Sequence, residues 1–358
     1  MLKTVIPFGP QHPVLPEPLH LKLTVEDEVI TEAIPALGFV HRGLEMLANI
    51  RDFKQMTQVV ERVCGICSMI HAMCYCQGIE AIMGIEVPRR ATFLRTIWSE
   101  LNRMHSHLLW LGLFADSFGF ESLFMQLWKI REKVLDLNEA TAGNRIIVSV
   151  NVIGGVRRDL APEQISWMLA ELAEVEQEIN RLGSTLLTDY TVKKRTAGKG
   201  VITKDKAFEL GLAGPTLRAS GVCQDMRMLG YAAFDQLDFE PVVETGGDCY
   251  ARSKVRFREV LQSIDLIRQA LSRIDQSEIR TKVKGRPQGE TVCRVEQPRG
   301  ELFYYIKADG TKNLERLRIR TPTFANIPAL LSILPGMWLS DVPVAVLSID
   351  PCISCTER

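Results

Sequence analysis

Two cysteine pairs with identical spacing lie near opposite ends of this 358-residue chain. Cys64 and Cys67 form the first pair, and Cys352 and Cys355 form the second. Most of the chain separates the two pairs, which excludes a zinc knuckle closed by neighbouring residues. If the fold brings the pairs together, four thiolates converge on one soft metal centre. The spacing therefore predicts a buried metal site built from both ends of the chain.

The residues around the first pair predict its local geometry. A helix through Cys64 and Cys67 would place both thiols on one face, with Cβ atoms about 5–6 Å apart. His71 would follow one turn later on the same face, where it could hydrogen-bond a thiolate and tune its basicity. The neighbouring Arg62 could lower the pKa of these thiols.

The second pair has its own start signals for a helix. Asp350 suits an N-cap position and Pro351 suits the first helical position. Cys352 and Cys355 are therefore expected in the first turns of a short helix, where the helix dipole favours thiolates. On spacing alone, a structural zinc site with four cysteines and two unrelated buried pairs both remain alternatives.

Composition limits the function of the whole chain. Hydrophobic residues make up 46% and charged residues 24%, which is typical of a soluble globular protein. Lys+Arg and Asp+Glu are 43 each, so no basic excess points to nucleic acid. The nine cysteines and the absence of a secretory signal favour a reducing cytosolic setting. Prolines and an aspartate interrupt the most apolar stretch, 327–347, so we expect it to be core rather than a transmembrane helix.

Three apolar stripes with spacings of three and four residues predict the helices that position the cysteines. They run from Phe93 to Leu108, from Ile165 to Leu182 and from Phe257 to Ile274. The predicted helices lie near residues 92–115, 162–188 and 254–275. Amphipathic helices of this length pack side by side, so we expect a central bundle of long helices.

The remaining patterns predict small sheets at the periphery of the bundle. Residues 20–35 alternate in places and have a turn at Glu26-Asp27-Glu28, which predicts a hairpin. A second sheet is expected at 290–320. Prolines before the hairpin exclude helix interior, so residues 1–35 are predicted to be an arm and a hairpin. The fold class is mainly α, as a single domain over 1–358 that ends in a metal-binding motif at 350–358.

The residues around both cysteine pairs resemble the large subunit of nickel–iron hydrogenases. The first motif is Arg62-Val63-Cys64-Gly65-Ile66-Cys67 followed by His71, and the second is Asp350-Pro351-Cys352-Ile353-Ser354-Cys355. Residues 295–302 resemble that family's Glu-x-Pro-Arg-Gly element, and residues 42–45 resemble its Arg-Gly-x-Glu element. Both motifs occur in the expected order and at the expected ends of the chain.

Much of the chain also resembles the quinone-facing 49 kDa subunit of respiratory complex I. The matching segments are Gly9-Pro10-Gln11-His12-Pro13, His41-Arg42-Gly43, 195–200 and Gly247-Asp248-Cys249-Tyr250. That subunit lacks the four metal cysteines. Hydrogenase cysteines in a complex-I-like chain are typical of membrane-associated, energy-converting (Ech-type, group 4) nickel–iron hydrogenases.

This resemblance implies a function and a set of partners. The chain would be the catalytic subunit of an enzyme that reversibly oxidises dihydrogen or reduces protons, exchanging electrons with ferredoxin. A small subunit with a [4Fe-4S] cluster would carry the electrons, and further complex-I-like hydrophilic and membrane subunits would couple the reaction to ion translocation. The chain would lie in the cytoplasm, on the inner face of the cell membrane, with no nucleic-acid partner.

The resemblance also implies the cofactor. Cys64 and Cys352 would be terminal nickel ligands, and Cys67 and Cys355 would bridge nickel to an iron that carries carbon monoxide and cyanide. The other five cysteines, at positions 74, 76, 223, 249 and 293, have no cluster spacing. No iron–sulfur cluster is therefore expected in this chain.

Further roles follow from the same resemblance. Arg299 would lie above the open face of the metals, and Asp116 would be the carboxylate that holds it. Glu17 would pass protons to a nickel thiolate. Glu45 would bind a second metal, Mg²⁺ or Fe²⁺, although Arg358 occupies the position where many relatives have a histidine. That departure weakens the case for the second metal.

Two other functions compete with this one. A non-catalytic scaffold in a complex-I-like assembly would hold a structural zinc ion in the four cysteines. Quinone reduction would need a quinone-facing Tyr/His pair in a pocket, for which His12 and His41 offer histidines, but it would leave the metal cysteines unexplained. Metal content separates these alternatives, because only the hydrogenase would hold nickel together with iron.

Overall fold

The computed structural model of the chain describes residues 3–358, so Met1 and Leu2 of the predicted arm lie outside the described residues. The α-helices are α1 (Met56–Glu61), α2 (Ser68–Met83), α3 (Arg89–Asp116), α4 (Glu121–Ala142), α5 (Pro162–Thr188), α6 (Tyr190–Thr196), α7 (Lys204–Glu209), α8 (Gly214–Arg218), α9 (Cys249–Arg273), α10 (Pro322–Ile333), α11 (Val342–Ser348) and α12 (Ile353–Glu357). The β-strands are β1 (Lys3–Phe8), β2 (His20–Glu26), β3 (Val29–Ala36), β4 (Asn151–Val152), β5 (Gly155–Val156), β6 (Gln288–Gln297), β7 (Gly300–Asp309) and β8 (Leu314–Arg320). The predicted mainly α class is confirmed.

The predicted central bundle is built around α3. This helix packs lengthwise on α4 and α9, and the apolar stripe from Phe93 to Leu108 is buried. The helix α5 packs outside α4 and α9. At Gly183 of α5, a Cβ atom would lie 2.0 Å from the ring of Phe257, so only glycine allows this approach. The helix α9 begins earlier than predicted because the Asp248 side chain accepts the Ala251 N–H at 2.7 Å.

The N-terminal residues form a three-stranded antiparallel sheet with the order β1-β2-β3. The predicted hairpin is confirmed, and its turn lies at Asp27 and Glu28, which both have left-handed φ angles of 49° and 67°. No alternating pattern indicated a strand at Lys3–Phe8, which pairs with β2 along its whole length. The predicted arm is therefore partly a strand.

A second antiparallel sheet, β6-β7-β8, confirms the β-structure expected at 290–320. Side chains along β7 alternate between a buried face and a partly exposed face, and Leu302, Tyr304 and Ile306 lie on the buried face. The helix α2 packs against β6 and β7, and its residues from Ser68 to Cys76 are buried. This contact places the start of α2 beside the end of β6. A two-residue pair, β4 and β5, forms a smaller sheet.

The last helices return the chain to the centre of the molecule. The helix α11 packs on α3 and α9, and Trp110 of α3 donates its indole N–H to the Leu347 carbonyl at 2.7 Å. The short helix α12 packs on α10. Among residues 3–358, no helix combines the length and apolar character needed to cross a bilayer. The single-domain organisation over 1–358 stays a prediction.

Candidate metal centre

The fold brings the two cysteine pairs together, although the chain between them is long. The sulfur of Cys64 lies 3.3 Å from that of Cys352, and the sulfur of Cys67 lies 3.3 Å from that of Cys355. The sulfurs of Cys64, Cys67 and Cys355 all lie within 4.8 Å of one another. All four side chains are buried. Thiolates at these separations fit the donor set of a soft metal centre.

The first pair lies in a turn, so the helix predicted through it is wrong. The turn connects α1 to α2, and Cys67 is the residue before the first turn of α2. The backbone N–H of Ile66 donates to the sulfur of Cys64 at 3.3 Å, a contact that helical geometry at these residues would prevent. His71 does lie on a helix, in the first turns of α2.

The second pair also differs from the prediction by two residues. The helix α12 begins at Ile353, and Cys352 rather than Asp350 occupies the N-cap position, where its sulfur accepts the Cys355 N–H at 3.4 Å. Asp350 has a left-handed φ of 55° and precedes the helix. The first cysteine of each pair thus accepts a backbone N–H at its sulfur.

Arg42 connects the two motifs through their backbone. Its guanidinium donates to the carbonyls of Arg62 and Val63 at 2.8 Å each, just before the first pair. It also donates to the Ser354 carbonyl at 3.0 Å, within the second pair. One planar side chain therefore fixes the distance between segments that the sequence separates widely.

The pKa values of Cys64 and Cys67 are shifted in opposite directions. Hydrogen bonds from Cys352 and its neighbours lower the pKa of Cys64 well below its usual value. Burial raises the pKa of Cys67 well above its usual value. Without metal the cluster therefore favours one thiolate among protonated thiols, and binding of a metal cation would displace the remaining protons.

His71 is brought to the cluster as predicted from its spacing. Its Nε2 lies 3.5 Å from the sulfur of Cys355 and 3.0 Å from the side-chain amide of Gln297. Its Nδ1 lies 2.8 Å from the hydroxyl of Tyr304. Burial lowers the pKa of His71 to about 4, so the ring is neutral at neutral pH.

Arg299 also lies at the cluster, but its carboxylate partner is not the predicted one. Arg299 Nη2 lies 2.9 Å from Asp350 Oδ1, and its Nε donates to the Asp350 carbonyl at 3.1 Å. Asp116 is exposed at the end of α3, away from this ion pair. Helical spacing alone could not reveal that the left-handed backbone at Asp350 turns its carboxylate toward Arg299. Burial opposes the charge of Arg299, but Asp350 and the thiolates outweigh it, so the arginine pKa lies well above its usual value.

A cavity of about 260 Å³ opens beside two of the four cysteines. Its polar lining comes from Glu17, Arg299 and Asp350 together with Cys64 and Cys352. Apolar residues form most of the remaining wall: Pro16, Ile66, Leu109, Trp110, Leu113, Leu347 and Pro351. Among the described residues, Arg299 Nη1 is buried and has no hydrogen-bond partner.

Glu17 reaches the cavity from the N-terminal arm. Its Oε2 accepts the backbone N–H groups of Ile353 and Ser354, the latter at 3.0 Å. These two N–H groups belong to the first turn of α12, which has no earlier carbonyls to satisfy them. The structure therefore places Glu17 against the second cysteine motif, where the resemblance predicts it.

Glu45 does not fit a second metal. Its Oε1 accepts from Arg358 Nε at 2.9 Å and from the Ile319 N–H at 2.8 Å, and its Oε2 pairs with Arg318. Both oxygens are therefore held by cations or by backbone. Burial alone would raise the Glu45 pKa, but the hydrogen bonds from these three residues outweigh it and lower the pKa. Within residues 3–358, the metal-ligating side chains that lie close together in a group of three are Cys64, Cys67 and Cys355, and Glu45 is not among them.

Known protein families match this chain over most of its length. Residues 42–113 match the nickel-dependent hydrogenase family, and residues 117–286 and 278–358 match the 49 kDa subunit of respiratory-chain NADH dehydrogenase. A carbon monoxide-induced hydrogenase of Rhodospirillum rubrum is 41% identical over 99% of each chain. This chain belongs to the family of hydrogenase large subunits and respiratory 49 kDa subunits. It is therefore a hydrogenase-like oxidoreductase subunit.

Other members of the family have different names. The alpha subunit of a membrane-bound hydrogenase of Pyrococcus furiosus is 38% identical over 99% of this chain and 87% of its own length. A subunit of the NADH-quinone oxidoreductase of Koribacter versatilis is 33% identical over 99% of this chain and 96% of its own. A chain of the membrane-bound sulfane sulfur reductase, an archaeal respiratory membrane complex, superposes with a TM-score of 0.95 at 29% identity, covering 99% of this chain and 98% of its own. The family fold thus serves several reactions, and the residues at the site must distinguish them.

Three residues that contact Arg299 or His71 at this site were not predicted as site residues from the sequence. Asp350 was predicted only as a helix cap, although it pairs with Arg299. Gln297 and Tyr304 had no predicted role, although both contact His71. The alternation along β7 could have indicated Tyr304, because a buried tyrosine needs a hydrogen-bond partner for its hydroxyl. No local signal could have indicated Gln297.

Proposed function

We propose that this chain is the catalytic subunit of a nickel–iron hydrogenase that interconverts dihydrogen with protons and electrons. Cys64, Cys67, Cys352 and Cys355 would hold the nickel–iron centre. The observation that supports this most directly is the cavity beside Cys64 and Cys352, lined by a buried ion-paired arginine and a glutamate. A purely structural metal site is closed, whereas a catalytic site keeps an open position for substrate.

The donor chemistry of the site fits this cofactor. Four buried sulfurs in two close pairs suit two soft metals that share ligands. When bound, the nickel–iron centre would supply the redox and Lewis-acid chemistry. Both carboxylate oxygens of Glu45 are already paired, so we propose no second, separate metal there.

The side chains around the cavity have separate roles in this proposal. Arg299, held by two contacts to Asp350, keeps a fixed positive charge at the cavity wall. Glu17 provides a carboxylate beside Cys352, where it can take a proton from the sulfur and return it. The apolar wall excludes bulk water and favours a small apolar substrate such as dihydrogen.

Partner subunits would carry the electrons and translocate the ions. Among the described residues, Cys64, Cys67 and Cys355 form the metal-ligating cluster, and the chain holds no second set with iron–sulfur spacing. A small subunit with a [4Fe-4S] cluster would therefore accept the electrons and pass them to ferredoxin. Relatives named as membrane-bound hydrogenase and as respiratory membrane complex support a place in a membrane-bound assembly. In this proposal the chain lies on the inner membrane face, beside ion-translocating membrane subunits.

The rival function is a non-catalytic scaffold with a structural zinc ion. Four cysteine sulfurs also match the tetrahedral preference of zinc. Zinc alone, however, does not require the ion-paired Arg299 or Glu17 at an adjoining cavity. Metal content decides between the two functions.

The first experiment measures metals and infrared bands in the purified native complex. We expect about one nickel per chain and iron in excess of that held by the partner's iron–sulfur clusters, together with bands from metal-bound carbon monoxide and cyanide. One zinc ion per chain with neither nickel nor these bands would establish the scaffold function and refute the hydrogenase.

The second experiment substitutes one cysteine of the cluster. Cys64→Ser replaces a soft sulfur with a hard oxygen, so hydrogen evolution and nickel retention should both be lost. Cys76→Ser is the matched control, because Cys76 is equally buried but contacts Thr57 rather than the cluster. Full hydrogen evolution in Cys64→Ser would contradict the proposed ligand role.

A further inference from the structure

A hydrogen-bonded chain of buried side chains extends from the cysteine cluster into the β6–β7 sheet. The Cys355 sulfur, the His71 ring and the Tyr304 hydroxyl follow one another at 3.5 Å and 2.8 Å. The amide of Gln297 lies 3.0 Å from the ring nitrogen that faces the sulfur. His71, Gln297 and Tyr304 are all fully buried, so water cannot complete their hydrogen bonds.

The number of donors and acceptors determines which nitrogen of His71 has the proton. A neutral imidazole has one donor nitrogen and one acceptor nitrogen. If Nδ1 had the proton, the Tyr304 hydroxyl would have to accept it. Among the described residues, the hydroxyl hydrogen would then have no acceptor, because His71 is its partner. The Nε2 lone pair would also face the Cys355 sulfur, which as a metal ligand is a thiolate and can only accept.

The opposite tautomer gives a partner to the ring, the hydroxyl and the sulfur, and among the described residues it leaves the amide nitrogen of Gln297 as the unpaired group. With the proton on Nε2, Tyr304 donates to Nδ1, and the Nε2–H points toward the Cys355 sulfur. The Gln297 amide, turned with its oxygen toward the ring, accepts from the same Nε2–H at 3.0 Å. This orientation gives a partner to the amide oxygen, which otherwise lacks one among the described residues.

We propose that Tyr304 is a positioning residue that fixes the Nε2–H tautomer of His71 and so directs a hydrogen bond to the Cys355 sulfur. The hydrogen bond would withdraw electron density from the sulfur and reduce its donation to a bound metal. Tyr304 itself does not touch substrate or metal. Its effect on the metal centre rests on the proposed function, whereas its effect on the tautomer does not.

The first test measures the tautomer directly in the metal-free full-length chain. Nitrogen-15 NMR of labelled histidines distinguishes a donor from an acceptor nitrogen, and the His71→Asn variant identifies the His71 signals. We expect a donor at Nε2 and an acceptor at Nδ1 in the parent chain, because among the described residues the Tyr304 hydroxyl has no other acceptor, whether or not Cys355 is a thiolate. A donor at Nδ1 in the parent would overturn the proposal, whatever any variant does.

The second test removes the hydroxyl. Tyr304→Phe keeps the ring and its packing but leaves Nδ1 without a donor, so both tautomers should appear. In the purified complex, the carbon monoxide band should move to lower wavenumber, because a sulfur without the hydrogen bond donates more charge to the metals. Tyr305→Phe is the control, since Tyr305 lies on the outer face of β7 and donates to Glu290 at 2.6 Å.

The two tests separate the two claims. If the complex holds no nickel and iron, the proposed function fails, but the NMR spectra still test Tyr304. If the metals are present and Tyr304→Phe leaves both the tautomer and the carbon monoxide band as they are in the parent, the positioning role is wrong. A shift of equal size in Tyr305→Phe would also overturn it.

Discussion

The link between the two cysteine motifs through Arg42 gives a quantitative prediction. Its guanidinium makes three hydrogen bonds to carbonyls of the motifs, two at the first and one at the second, besides one to the Val40 carbonyl. The side chain is exposed, so each charged hydrogen bond contributes about 0.5–1 kcal/mol rather than the value of a buried one. Arg42→Ala should therefore cost about 2 kcal/mol of the free energy that holds the motifs together.

This loss should appear as weaker metal binding. Only chains with both motifs in place can bind the metal with four sulfurs, so the apparent dissociation constant rises as that fraction falls. A cost of about 2 kcal/mol corresponds to an increase of at most about 30-fold in that constant. The assay is nickel retention by the purified complex against increasing concentrations of a competing chelator.

Arg62→Ala is the matched control for this experiment. Arg62 is also exposed, and it donates to the Gln58 carbonyl at 2.8 Å and pairs with Glu61 at 3.1 Å. Within residues 3–358 it makes no hydrogen bond to the second motif. Nickel retention in Arg62→Ala should match the parent. Equal retention in Arg42→Ala and the parent would refute the idea that Arg42 couples the motifs.

Three further variants test the cavity and its surroundings. Glu17→Gln keeps the shape of the side chain but cannot carry a proton. Hydrogen evolution and proton–deuterium exchange should therefore fall together by about 100-fold, with the metals retained. Exchange at the parent rate would assign proton transfer to another group. Arg299→Lys loses the planar pairing with Asp350 and should slow turnover about 100-fold at normal metal content, whereas an unchanged rate would place Arg299 outside the reaction. Glu45→Gln tests an ion pair whose carboxylate pKa is lowered below 4.5, because the effect of burial is outweighed by hydrogen bonds led by Arg358. Its stabilisation is complete above that value and is lost as the pH falls through the lower folded pKa, so the stability deficit in urea unfolding should be largest at neutral pH and shrink in acid.

The helices and hairpin of this fold could be predicted because their signals are local. The stripe from Phe93 to Leu108 repeats every three to four residues, and all of those apolar positions are buried in α3. The turn at Asp27 and Glu28 follows from polar residues between alternating apolar ones. The strand Lys3–Phe8 was not predictable in this way. It has one buried residue, Phe8, so its sequence shows no alternation, and its pairing depends on β2.

The site was predictable where the chemistry lies in side-chain type and spacing. The four cysteines and His71 meet as predicted, because those residue types serve few purposes together. Predictions that depended on backbone direction were wrong. Asp116 ends a helix in solvent, and Asp350 reaches Arg299 through a left-handed backbone that no spacing rule indicates.

The contacts of residues 352–358 explain why a centre built from distant motifs can be well defined. Four side chains from the first 45 residues contact this segment: Glu17 accepts from Ser354 N–H, Arg42 donates to the Ser354 carbonyl, Glu45 pairs with Arg358, and His41 Nδ1 lies 2.5 Å from the Glu357 carbonyl. The cysteines at 64 and 67 are fixed separately, by the start of α2. The cluster is therefore complete only after the last helix has docked against the N-terminal segment. Docking of that segment is therefore a condition for four sulfurs to bind one metal centre, because loss of any of these contacts loosens two of the four sulfurs at once.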